Sequence, residues 1–206
     1  MILMDNEKEF PDWDAYYKEN EVEKMPWFEE NLDLDIKEEI ELKEIKKGNF
    51  LDLGTGPGTQ AAQLAKIGFN VTGSDLSQNA VDKAKKLYSD PSYVADDILN
   101  SKFPDNEFDF ILDRGVFHVF EPEQRPVYLT QIKRILKGNG ILFLKCMSVD
   151  AENLPGDKGP FLYSKDQIKE FFECDFEIET IKDTVYYGTI DPLPKSLFVV
   201  MKNKKN

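Results

Sequence analysis

Phe50-Leu51-Asp52-Leu53-Gly54-Thr55-Gly56-Pro57-Gly58-Thr59 joins a short apolar run to a loop with glycine at every second position. Behind it, Ala61–Ile67 carries a helical pattern that Gly68 closes, so the segment reads as strand, loop and helix. Glycines in such a loop let the backbone turn through positive φ and come close to a ligand. Pro57 suits the first turn of the following helix. A dinucleotide loop gives its sixth position to glycine, and that position here is Thr59.

Working outward, Phe69–Gly73 is a second strand pattern, and Asp75 follows it 21 residues after Gly54. A carboxylate there accepts hydrogen bonds from both hydroxyls of a ribose and rejects a 2′-phosphate. That disfavours NADP and suits NAD and S-adenosylmethionine equally. Ser77 is an N-cap for a helix running to about Tyr88. Ser92–Ala95 is a third strand, Phe108–Leu112 a fourth, Pro122–Leu136 a helix, and Ile141–Met147 a fifth strand opened by the turn Gly138-Asn139-Gly140. Nearly all-apolar strands alternating with helices form a parallel sheet covered on both faces. Then the rhythm breaks. After a helix over Ser164–Phe172, Phe176–Tyr187 and Leu197–Lys202 are strand patterns joined by the Pro-rich stretch Asp191–Lys195. With no helix between them they pair antiparallel. The expected fold is α/β: a Rossmann-like doubly wound sheet, mostly parallel, of seven strands with an antiparallel C-terminal hairpin. Ligands bind outside the carboxyl ends of such strands. Asp96 is therefore expected to accept from an adenine amino group, with Asp97 and Ile98 beside the ring.

The 206 residues suffice for one domain with a full core. Residues 49–206 are expected to form it. Residues 1–48 are polar, acidic and punctuated by Phe10, Trp13, Tyr16, Tyr17, Trp27 and Phe28, and read as a helical lid segment. Its helices are expected over Trp13–Glu19 and Leu34–Ile45, the second stopped by Gly48. Twenty-six basic against 39 acidic side chains leave a net charge of −13. Polyanion binding needs basic side chains to displace counterions, so nucleic acid is not the expected partner. Cys146 and Cys174 make no disulfide framework, and no signal pattern or apolar run of about 20 residues is present. The expected location is cytoplasmic, with both thiols reduced and no membrane contact. One histidine and two distant cysteines make no zinc set, so no metal is expected. Nothing in the sequence speaks to oligomeric state.

Five stretches in register resemble the ordered motifs of class I S-adenosylmethionine-dependent methyltransferases: Phe50–Gly58, Val71–Ser77, Ala95–Ile98, Phe108–Gly115 and Leu136–Gly140. They span about residues 49–147, and the closing hairpin of that family matches residues 176–202. The resemblance implies a cofactor site on Gly54, Thr55, Gly56, Pro57 and Gly58, with the methionine part beside Gly54 and Gly56. It further implies ribose on Asp75 beside Leu76, adenine at Asp96, Asp97 and Ile98, and the backbone of Asp113 and Arg114 facing the ammonium group and the acceptor. Arg114-Gly115-Val116-Phe117-His118-Val119-Phe120, Cys146-Met147-Ser148, Gly159-Pro160 and Met25-Pro26-Trp27 are similar to the small-molecule branch near the thiopurine, thiol and tellurite-resistance enzymes.

Two catalytic candidates follow. His118, the sole histidine, titrates near neutrality in an ordinary setting and suits a general base, or else is a structural side chain on its turn. Arg114 binds an anionic acceptor group, or pairs with a lid carboxylate such as Glu29 or Glu30. Trp13, Tyr17, Trp27 and Phe28 either close over cofactor and acceptor or pack as core. The expected activity is methyl transfer to sulfur, oxygen or a metalloid of a small molecule. A protein or peptide substrate and a NAD-dependent oxidoreductase are the alternatives.

Overall fold

The computed structural model describes residues 10–152, 154 and 159–205; residues 1–9 of the expected lid segment lie outside them. Seven strands form one sheet: β1 (Asn49–Leu53), β2 (Asn70–Asp75), β3 (Ser92–Ala95), β4 (Phe108–Arg114), β5 (Leu136–Met147), β6 (Phe176–Val185) and β7 (Lys195–Asn203). Their order is β3-β2-β1-β4-β5-β7-β6. The pairs from β3 through β5 are parallel, and β7 runs antiparallel to both β5 and β6. The expected α/β architecture with its C-terminal hairpin is the observed one.

Side chains of a strand alternate between faces, and here both faces are buried. Phe50, Val71, Leu112, Phe143, Phe198 and Val200 face one way. They meet Ile36 and Ile40 of α2 (Leu34–Leu42), Ala61 and Leu64 of α3 (Thr59–Lys66), and Val81 and Ala84 of α4 (Gln78–Leu87). Leu51, Ile111, Leu142, Leu144 and Val199 face the other way. They meet Tyr128 and Ile132 of α5 (Arg125–Ile135) and Ile168 and Phe172 of α6 (Lys165–Phe172). Phe143 stacks between Phe50 at 5.9 Å and Phe198 at 6.5 Å, one aromatic row across three strands.

Local chemistry sets the ends of the helices. Ser77 Oγ accepts from Ala80 N at 3.0 Å to open α4. Ser164 and Gln167 form a reciprocal capping box on α6. α2 stops at Leu42, short of the expected Ile45. Glu44 turns left-handed at φ 53°, and Ile45 N closes back on Ile40 O at 3.0 Å, so the helix is capped four residues before Gly48. The turn expected at 138–140 lies inside β5, with Asn139 at φ 61° and a register shift between Phe108 and Phe110 on the partner strand. α5 begins at Arg125, three residues later than expected.

One strand residue is a buried cation. Lys145 is 1% exposed. Its Nζ donates to both oxygens of Asp33 at 2.8 Å and to Asp35 Oδ2 at 2.6 Å, and it lies 4.5 Å from the centre of the Tyr187 ring. Lys182 and Thr184 of β6 complete the shell of Asp35, at 2.9 and 2.7 Å. Four hydrogen-bonded partners keep these buried charges satisfied. They tie the start of α2 to the middle of the sheet.

Candidate active site

β1 and β4 are neighbours whose connections leave in opposite directions, and a crevice opens at their carboxyl ends. The glycine loop forms its floor. Asp52 carries a carboxyl whose pKa burial raises to about 6; Thr55 Oγ1 donates to it at 2.6 Å and Ala61 N at 3.0 Å. Thr55 N donates in turn to Ser74 O at 2.8 Å. Asp52 therefore holds the loop to the N-terminus of α3, a role that its place in an apolar strand run did not announce.

Asp75 ends β2. Its Oδ2 accepts from Gly56 N and its Oδ1 from Ser77 N, both at 2.9 Å. Burial raises its pKa to about 6. Asp96 faces the same cavity. Its Oδ1 accepts from Lys102 N at 2.9 Å, while Oδ2 is buried without a hydrogen-bond partner. Asp97 caps the turn 98–100 through Leu99 N at 3.0 Å and also lines the cavity, with Leu76 and Ile98.

Segment 10–33 covers this crevice. α1 (Trp13–Glu19) is held by Asp14, which accepts from Ser77 Oγ at 2.8 Å and from Asn79 N at 3.0 Å at the N-terminus of α4, where an anion is favoured. Gln60 holds Asp33 N, Glu29 O and Asn31 O, and Gln63 holds Glu30 O. The loop after β6 clamps the other edge: Thr189 N and Oγ1 donate to Pro26 O and Met25 O, at 3.0 and 3.1 Å. A side chain on Gly188 would overlap the Pro26 carbonyl. Gly188→Ala is therefore expected to loosen the cover. Overpacking of this kind costs about 1–3 kcal/mol, and limited proteolysis within residues 10–33 should quicken at least severalfold. Cleavage at the wild-type rate would show that the clamp is dispensable.

The cover and crevice enclose a cavity of about 410 Å³. On the cover side it is lined by Phe10, Trp13, Tyr16, Tyr17 and Trp27, whose rings interlock at 5.4–6.5 Å. The Trp27 indole N–H is buried without a partner. On the sheet side it is lined by Val119, Phe120, Met147, Tyr186 and Ile190.

Several expected site residues take other positions. Of the loop 54–58 only Gly54 lines the cavity. Thr55 is turned under to Asp52, Gly56 leaves room for the Tyr17 hydroxyl, and Gly58 makes room for Tyr93. Pro57 does not reach the cavity wall. Asp113 is fully buried, its pKa raised to about 6 by burial; its carboxyl accepts from the amides of Gly115, Val116 and Phe117 and from Tyr128 Oη at 2.7 Å. Its carboxyl shapes the loop after β4, and the expectation for this position concerned its backbone. Phe28 packs in the cluster of Tyr17, Met25 and Ala80, off the cavity wall.

Arg114 does not pair with Glu29 or Glu30. Its Nε donates to Asp33 at 2.8 Å, one terminal nitrogen to Trp27 O at 2.9 Å and the other to Tyr187 O, while its plane lies 4.6 Å from the Tyr186 ring centre. With its donors so engaged it is a tie between the cover, β4 and the loop after β6. His118 is 6% exposed and accepts at Nδ1 from Met147 N at 3.2 Å. Burial and then the nearby Arg114 charge lower its pKa to about 3. Burial favours the neutral ring, and in this arrangement its accepting nitrogen is occupied by Met147 N, which accords with the structural one of the two readings of the sequence. Asp33, Asp35, Lys145 and Tyr186 were not foreseen; their pairing spans up to 149 residues and has no local signature.

Among the described residues no group of three metal-ligating side chains is assembled, and no helix is long and apolar enough to cross a membrane.

Residues 51–144 match the methyltransferase domain family. The chain is 31% identical over 104 residues to an uncharacterised methyltransferase of Schizosaccharomyces pombe, a match covering 48% of this chain and 72% of that one. It is 28% identical over 117 residues to a probable thiol methyltransferase 2 of Arabidopsis thaliana and spans about half of it, 51%. It is 29% identical over 163 residues to the human EEF1A lysine methyltransferase 2, covering 69% of each. A structure solved in work on the conversion of a disulfide bond into a thioacetal group during echinomycin biosynthesis superposes with a TM-score of 0.81 at 22% identity, over 94% of this chain and 92% of that one. A nicotinamide loop would carry its third glycine where Thr59 opens α3. The strand order, the glycine loop and the extent of the methyltransferase match together make this chain a member of the class I S-adenosylmethionine-dependent methyltransferases.

Proposed function

We propose that the chain binds S-adenosylmethionine at the carboxyl ends of β1, β2 and β3 and transfers its methyl group to a small-molecule acceptor, with segment 10–33 as a lid. The observation that carries this reading is the cavity wall formed by Gly54, Asp75 and Asp96, where Asp96 Oδ2 is buried and unpartnered. A purine amino group supplies the donor that this oxygen lacks, and Asp75 supplies a carboxylate for ribose hydroxyls. Leu76 and Ile98 would flank the base, with Asp97 alongside. When bound, the cofactor supplies a methyl group on a sulfonium centre, which a lone pair displaces in line. The chain's own part is to hold acceptor and methyl group together and keep water out, worth roughly 7–11 kcal/mol where orientation is good. The aromatic lid and the apolar sheet side serve both ends.

A sulfur, oxygen or metalloid acceptor fits the apolar cavity and the thiol methyltransferase relative. A second reading, methylation of a protein lysine, draws on the EEF1A lysine methyltransferase relative. Calorimetric titration with S-adenosylhomocysteine and, separately, NADH tests the cofactor: the first is expected to bind and the second not. Binding of neither, or of NADH alone, overturns the proposal. Turnover of thiols, phenols or metalloid anions against lysine-containing peptides then decides the acceptor.

A further inference from the structure

His118 lines the cavity and has one nitrogen engaged. Nδ1 accepts from Met147 N at 3.2 Å, so that nitrogen carries no proton and the single proton of the neutral ring sits on Nε2. Nε2 has no hydrogen-bond partner among the described residues. It lies 3.2 Å from the position a Gly115 side chain would take, and Gly115 and His118 both line the cavity. An unpaired N–H on a side chain that is nine-tenths buried and lines an apolar chamber is a donor awaiting an acceptor.

Neither His118 nor its neighbours on that side of the cavity are tuned to take a proton near neutrality. Burial raises the hydroxyl pKa of Tyr16 and, further, of Tyr17, and pushes that of Tyr186 up to about 12. Arg114 is a cation with its donors engaged. Asp75, Asp96 and Asp97 lie on the wall assigned to the cofactor. A phenol or an ammonium, with ordinary pKa values near 10, would have no base to lose its proton to. A thiol, near 8.5, ionises far more readily, and a hydrogen bond to its anion lowers that value further.

Building on the proposed methyltransferase activity, we propose that His118 is the specificity-determining donor of this site: its Nε2–H holds the acceptor atom, and the acceptors it selects are thiols bound as thiolates. The proton balance then closes without a base. The thiolate gives a lone pair to the methyl carbon as the bond from that carbon to the sulfonium breaks, and the bonding pair stays on the departing sulfur. Anion and sulfonium charges cancel, two thioethers result, and no proton moves. Where the His118 ring is concerned, the facing groups are Arg114, whose charge opposes protonation, and Tyr186, 6.1 Å away between ring centres, whose hydroxyl donates to Arg114 O at 2.6 Å.

Because His118 is the only histidine in the chain, its ring is readable directly. The 206-residue chain, labelled with ¹⁵N-histidine and saturated with S-adenosylhomocysteine, would be followed by long-range ¹H–¹⁵N correlation NMR from pH 5 to 8. The expected spectrum is one neutral imidazole protonated on Nε2, unchanged across that range. Addition of benzenethiol at pH 8 should move the Nε2–H proton downfield, whereas phenol should leave it in place. A ring that titrates within this range, a proton on Nδ1, or an Nε2–H indifferent to benzenethiol overturns the proposal. The tautomer and titration are read equally well without S-adenosylhomocysteine, so failure of that ligand to bind would count against the cofactor assignment and leave the His118 result to stand or fall separately.

Discussion

Lys145→Met should destabilise the protein by about 3–5 kcal/mol, the range for removing one partner of a buried ion cluster. For a chain of this size each kcal/mol moves the melting point by roughly 2–4 °C, so a fall on the order of 6–20 °C is expected. Methionine fills a similar volume, so the loss reports charge rather than a cavity. Asp33 and Asp35 would each keep one cation, Arg114 and Lys182 respectively, but the ammonium that both share at 2.6–2.8 Å would be gone. The compound variant Lys145→Met, Asp33→Asn, Asp35→Asn should recover none of the loss, because Asp33→Asn strands the buried Arg114 cation that Asp33 pairs. Thermal melts of the two variants side by side check this. A single-variant loss under 1 kcal/mol would mean that Arg114 and Lys182 suffice.

The second large effect falls on ligand binding. Asp75→Ala is expected to weaken S-adenosylhomocysteine binding by about 1.5–3 kcal/mol, through lost hydrogen bonds to a charged group, which is roughly ten- to a hundredfold. An unchanged dissociation constant would remove Asp75 from the ribose role. The pH dependence supplies a second arm. With its pKa raised by burial to about 6, Asp75 takes up a proton as pH falls through 6 and loses an acceptor. Affinity should therefore weaken between pH 7 and 5 in the wild type and stay flat in Asp75→Asn. The effect on folding has the opposite sign. The native carboxyl holds its proton more tightly than in the unfolded chain, so its contribution to stability is full below about pH 4 and is lost as pH rises through 6.

The sheet was legible because its signals are local. Apolar runs, a glycine loop and Ser77 each act within a few residues, and they located β1 to β4, α3 and α4 closely. The elements that differed turn on a residue without a propensity: Glu44 adopts a left-handed conformation that a glycine four positions later seemed to offer. The cavity's chemistry was less legible. Lys145 stands in a strand of apolar residues and reads as an outward-facing lysine until Asp33 and Asp35, more than 100 residues earlier, are seen beneath it. Arg114 and His118 each carried a chemical and a structural reading from their place after β4. The fold engages one N–H on each nitrogen of the first and the accepting nitrogen of the second. Residue type and loop position indicate which side chains reach the cavity, but partners brought by the lid and by Met147 decide what those side chains do there.

The clamp between Thr189 and the Met25–Pro26 carbonyls has a bearing on how such a protein is re-engineered. Lid and hairpin loop meet each other above the sheet, so the chamber's roof is a module with its own internal fastening. Exchanging residues 10–33 and 186–194 as a matched pair would transplant a roof while leaving the strand ends and glycine loop as they are; exchanging either alone would leave a roof without its latch.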